Sequence, residues 1–113
     1  PGLLQILEAN AVFCANRIPV PGGPLEVGSK LPNPWGFHDL SGGIGEWCWD
    51  WIVWHYGYGP VVDPTGPETG EERAVRGGNW SLEAWRCRPA SRYRAVPYTA
   101  NSFFGFRLMR TSP

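Results

Sequence analysis

The sequence predicts a small mixed α+β fold, rich in loops and built on short strands. Fifteen glycines and twelve prolines among 113 residues leave little room for long helices. The apolar runs are short, and Gly- and Pro-rich stretches separate them. The segment Glu46-Trp47-Cys48-Trp49-Asp50-Trp51 alternates aromatic with polar residues at the two-residue period of a strand. This length suits one small domain. The chain opens Pro1-Gly2-Leu3 without an initiator Met, so it reads as a processed or truncated piece.

Taken in order, residues 3–15 (LLQILEANAVFCA) are apolar with scattered polar breaks and fit a helix or a strand equally. Residues 17–34 hold five prolines and read as an extended loop, closed by a tight turn at Pro32-Asn33-Pro34-Trp35-Gly36. Residues 36–41 look like a short element bounded by glycines. In the strand at 46–51, Glu46, Cys48 and Asp50 take one face, and Trp47, Trp49 and Trp51 the other. A second loop covers 57–72. Arg73–Arg76 is a short strand ended by Gly77-Gly78. Residues 81–86 fit one helical turn, 93–103 are irregular around Pro97, and 104–109 form a terminal strand.

Composition excludes several function classes. Ten basic and ten acidic residues cancel, so no global field draws in nucleic acid or an anionic membrane. No run of eighteen apolar residues spans a bilayer, and this segment carries no signal peptide or lipidation motif. From Arg76 onward, seven arginines face a single acid, Glu83. They read either as structural forks tying down loop carbonyls and carboxylates or as an anion-binding patch.

The three cysteines allow a Cys48–Cys87 bridge with Cys14 left over, or three buried thiols. No CxxC supports a zinc or thioredoxin-type site. His38 and His55 are too few for a three-histidine metal centre, and no GxSxG elbow is present.

Several strings occur together in one order: Pro32-Asn33-Pro34-Trp35-Gly36-Phe37-His38-Asp39-Leu40-Ser41-Gly42, then Glu46-Trp47-Cys48-Trp49-Asp50-Trp51. Asp63-Pro64-Thr65-Gly66-Pro67, Arg76-Gly77-Gly78-Asn79-Trp80, Cys87-Arg88 with Ala90 and Arg92, and Gly105-Phe106-Arg107-Leu108 follow. This combination resembles the formylglycine-generating enzyme (sulfatase-modifying factor) family. The resemblance implies a loop-rich α+β fold of C-type-lectin-like type with short antiparallel strands. It also implies that this chain is the C-terminal half of one domain, whose N-terminal half is a partner in folding. Within that scaffold, Trp47, Trp49, Trp51 and Trp80 are expected to supply buried area. Asp39, Glu46 and Asp50 are expected to accept from loop amides or from Arg107 and Arg88.

The resemblance also frames the chemistry. The family's oxidase activity uses two cysteines five positions apart. The second aligns with Cys87, and the first falls on Leu82, which has no thiol. One thiol neither holds the metal nor exchanges a disulfide, so no enzyme activity is expected and Cys87 reads as a scaffold cysteine. The family's Asn-x-x-Glu calcium string reads Gly43-Ile44-Gly45-Glu46 here, without the Asn oxygen, so neither metal nor other cofactor is expected.

Around the scaffold strings lie residues of a different kind. Ser81, Leu82, Glu83, Trp85 and Arg86 follow Trp80. Tyr93, Arg94, Ala95, Val96, Tyr98, Thr99, Ser102 and Phe103 follow Arg92. Aromatic anchors mixed with Arg and small residues are the composition of an adaptable binding surface. The arrangement resembles the variable proteins of diversity-generating retroelements, which diversify a C-terminal face on this fold. That resemblance implies a protein or glycan ligand, no catalytic residue, and a cell-surface or secreted location. Trp54 and Tyr56 either add to this face or pack the loop after the Trp strand.

Overall fold

The computed structural model describes residues 2–17, 26–55, 57 and 59–110. Helix α1 (Leu3–Asn10) opens the chain. The Gly2 N–H donates to Gln5 Oε1 at 3.0 Å, which satisfies one orphan donor of the first turn. Asn10 ends the helix, its Nδ2 turned back onto the Ile6 carbonyl at 2.8 Å. The chain then extends, and Ala11, Val12 and Phe13 are all buried. Ala11 and Phe13 form a core cluster with Cys87, against which Leu7 of α1 and Ala84 pack.

Four strands follow: β1 (Gly45–Trp51), β2 (Arg73–Arg76), β3 (Arg92–Ala95) and β4 (Phe104–Gly105), with a 3-10 turn at Ala84–Cys87. They form one sheet in the order β3-β2-β1-β4. Trp47 lies opposite Val75, and Val75 opposite Tyr93. Strand alternation therefore puts these three on one face. Phe104 joins them, its ring 5.5 Å from Trp47 and 5.9 Å from Tyr93.

The loops are tied to the sheet at two close approaches that only glycine permits. Gly42 has φ +74°, and a Cβ there would lie 2.1 Å from the Val12 carbonyl oxygen. The absence of that Cβ lets Val12 pair with Gly42 and lets the Gly43 N–H reach the Val12 carbonyl at 2.8 Å. Gly78, also at φ +74°, passes over Cys87, whose Cα a Cβ would approach to 2.8 Å. Backbone bonds from Gly42 to Gly77 and from Trp80 to Gly43 complete a seam through the molecule.

Some expectations are corrected. Trp49 is 82% exposed, not core, because the β1–β2 register slips between Trp47 and Trp51 and no layer covers it. It instead shares the Arg73 guanidinium with Trp51, at 4.9 and 3.6 Å from the two rings. Residues 92–95 are a strand, not irregular chain. Pro97 restricts only itself and Val96, which leaves the edge of β2 free to recruit the residues before them. The terminal strand is only Phe104–Gly105 and runs parallel to β1. Residues 36–41 form bends rather than an element, held by Asn33 Oδ1, which accepts from Trp35 and Phe37. Cys14, Cys48 and Cys87 are all free thiols, and only Cys87 is fully buried.

Candidate functional site

Most of the residues singled out between 81 and 103 meet around one open depression of about 540 Å³. Ser81, Leu82, Tyr93, Arg94, Ala95, Val96, Thr99 and Phe103 line it. A smaller depression of about 190 Å³ shares Leu82 and Tyr93 with the first and adds Trp85 and Arg86. The local chain explains the grouping. β3 is an edge strand, so Tyr93 (50% exposed) and Arg94 stay open while Ala95 turns into the core at 8% and forms only the floor. The 3-10 turn sends Cys87 inward and leaves Trp85 54% exposed.

Other sequence-selected residues fall outside both depressions. Glu83 is exposed and accepts from Trp85 Nε1, steadying that ring from the side. Tyr98 stands at a turn closed by Thr99 N–H to Val96 and is 86% exposed. Ser102 is exposed, and its carbonyl accepts from Trp80 Nε1 at 3.1 Å. Trp54 is 71% exposed and joins the face through Arg94, whose guanidinium sits 4.3 Å from the Trp54 ring. Tyr56 lies outside the described residues.

The larger depression also contains residues the sequence reading passed over: Glu72, Asn79, Asn101 and Phe104. Glu72 pairs with Arg94 at 2.8 Å, an approach set by the β2–β3 register. Asn79 and Asn101 serve the backbone, accepting from Ser81 and Phe103 respectively. The acidic run before β2 was the available signal for Glu72; nothing in the local pattern marks the others.

A third depression, of about 490 Å³, lies by β4 and is lined in part by Val12, Ile44, Phe106, His38, Asp39, Glu46 and Arg107. His38, Asp39, Glu46 and Arg107 are engaged within the fold. Arg107 grips both Glu46 oxygens, with contacts of 2.6 to 3.1 Å, and donates to the His38 carbonyl at 2.9 Å. The bond to Glu46 holds the Arg107 pKa above its ordinary value. Asp39 accepts from Gly28, and His38 Nδ1 lies 2.8 Å from the Lys30 carbonyl.

These contacts bear on metals. Gly43 brings no side-chain oxygen, and both Glu46 oxygens are taken by a cation, so the calcium string does not suit calcium here. No group of three or more His, Cys, Asp or Glu comes together among the described residues. Leu82 lines both depressions at the position where the resemblance would require the first thiol, and Cys87 lies beneath Gly78 at 2% exposure. Burial pushes the Cys87 thiol above its ordinary pKa, so at neutral pH it is a thiol rather than a nucleophilic thiolate. A single buried thiol does not fit the two-thiolate metal site that the resemblance implies.

Residues 17–112 match the Sulfatase-modifying factor enzyme 1-like domain. The chain belongs to this family. The domain is 36% identical over 84 residues to a formylglycine-generating enzyme of Thermomonospora curvata, covering 71% of this chain and 27% of that protein. It is 40% identical over 88 residues to the serine/threonine-protein kinase pkn1 of Chlamydia pneumoniae, covering 72% of this chain and 14% of that protein. Among solved structures it resembles Treponema denticola variable protein 1, with a TM-score of 0.80, 33% identity, and coverage of 90% of this chain and 36% of that one. It also resembles PvdO from Pseudomonas aeruginosa, at TM-score 0.74 and 26% identity, covering 88% of this chain and 38% of that one. The domain thus spans well under half the length of each of these proteins. Its fold is the α+β, C-type-lectin-like type expected. No helix among the described residues is long and apolar enough to cross a membrane.

Proposed function

We propose that this domain is a non-enzymatic binding module that presents residues 81–103, with Trp54, to a protein or glycan ligand. The observation that carries this reading is the convergence of Leu82, Tyr93, Arg94, Thr99 and Phe103 on one depression that adjoins a second. Exposed aromatic rings beside arginine supply large contact area at small entropic cost. The likeness to a protein called variable protein 1 supports a diversified face, as in the variable proteins of diversity-generating retroelements. Leu82 in place of a thiol supports the absence of oxidase chemistry.

The identity to formylglycine-generating enzymes favours a second reading: a homologue with an altered catalytic site, completed by an N-terminal half. Sequencing the locus across many related isolates separates the two. Variation confined to codons 81–103, with codons 32–50 constant, is the outcome expected of a diversified binder. Uniform codons in both windows, together with copper-dependent turnover of a cysteine peptide, would establish the enzyme reading instead.

A further inference from the structure

The arginines that crowd the second half of the chain divide into two kinds. Arg76 donates to the Ser91 and Pro89 carbonyls, Arg92 to Val53, Arg94 to Glu72, and Arg107 to Glu46. These are the structural forks that one reading of the sequence anticipated. Arg86 and Arg88 differ. Both are exposed, and among the described residues neither has an acidic partner. Both line the smaller depression, whose wall contains no carboxylate.

That depression has a definite chemistry. Val75, Leu82, Trp85 and Tyr93 make an apolar wall, and Arg86 and Arg88, beside the already engaged Arg92, supply positive charge with no ion-pair partner among the described residues, Glu83 being bonded to the Trp85 ring. The Arg86 guanidinium sits 4.5 Å from the Trp85 ring, which fixes a planar fork before any ligand arrives. At about 190 Å³ the space is below the roughly 300–1,000 Å³ of small-molecule sites. It suits one side chain better than a whole ligand.

We propose that this depression anchors an Asp or Glu side chain of a protein ligand, with Arg86 and Arg88 as the clamp. The inference rests on the reading of the 81–103 surface as a binding face and specifies what that face seeks. A carboxylate matches the guanidinium fork, and the adjoining aromatic rings take the apolar residue beside it.

The test is to pan a random-peptide phage library on the full chain and to measure selected peptides by fluorescence polarisation. Selected peptides are expected to carry Asp or Glu next to an apolar residue. Exchanging that acid for its amide, or introducing Arg86→Gln with Arg88→Gln, should weaken binding roughly tenfold, the sum of two exposed charge contacts. Added salt should weaken it too, and Arg110→Gln should leave it unchanged. The acid-to-amide exchange in the peptide reads the same contact whatever the protein variants do to folding. Peptides that lose affinity with Tyr93→Ser yet show no acidic preference would overturn the clamp and keep the binding face. No enrichment over the naive library would overturn both. Sialyllactose binding that depends on the two arginines, without peptide selection, would overturn the protein ligand in favour of an acidic glycan.

Discussion

Between residues 80 and 103 one short stretch of chain supplies both buried residues and an exposed face, and the two differ in nearly every physical respect. Trp80, Cys87 and Ala95 are 7%, 2% and 8% exposed, whereas Trp85, Tyr93 and Tyr98 are 54%, 50% and 86% exposed. The buried members have their polar groups assigned: Trp80 Nε1 to Ser102, and the Trp80 N–H to Gly43. The exposed members close no backbone bridge through their side chains. Buried and exposed positions are therefore interleaved along the sequence but separated in space. A chain so built changes its surface without touching what holds it folded.

The largest expected effect lies among the buried residues. Phe13→Ala and Trp80→Ala should each destabilise by about 3–5 kcal/mol in denaturant unfolding, because each removes a ring from a packed site. A loss below 1 kcal/mol for Trp80→Ala would break the comparison at its foundation. Next comes the Glu46–Arg107 pair, partly open to solvent. Glu46→Ala should cost about 1 kcal/mol, and less at high salt.

Alkaline pH offers a graded probe of burial. The folded-state pKa of the Cys87 thiol lies above that of the unfolded chain, because burial disfavours the thiolate. Its contribution is complete below the unfolded thiol value of about 8.5 and is lost as pH rises through the folded one. Cys87→Ala should flatten that alkaline decline; a decline of equal steepness in the variant would show that the thiol is not its source. The smallest effects belong to the surface. Tyr98→Ala should shift stability by no more than about 0.5 kcal/mol, and Trp49→Ala by less than Trp80→Ala in the same unfolding experiment. Equal losses at Trp49 and Trp80 would mean that both rings are core after all.

The pattern of exposure shows what the sequence could convey. β2 was legible because Gly77-Gly78 ends it abruptly, and β1 because its alternation is strict. The same alternation misled at Trp49: a period of two assigns a face, but the register slip that strips that face of its cover arises from pairing with β2. β3 was hidden because its strand character comes from the open edge of β2, not from its own residues. The candidate face was legible as composition, through Tyr, Trp and Arg set among scaffold strings. Its grouping into two depressions was not, since Glu72 arrives from the bend before β2 and Phe104 from β4. The arginines show the same limit. Their excess is visible in the chain, but only contacts separate Arg94 and Arg107, already engaged, from Arg86 and Arg88.

The seam through Val12, Gly42, Gly77 and Trp80 has a kinetic meaning as well. It joins segments far apart in the chain, and the parallel pairing of β1 with β4 does the same. Large loops must therefore close before these contacts repay the lost chain entropy, which makes folding slow for a domain of this size. Tyr98 and Trp85 stand outside that closing step. Chains that differ only at such positions should cross one common barrier at one common speed, however different the surfaces they end up with.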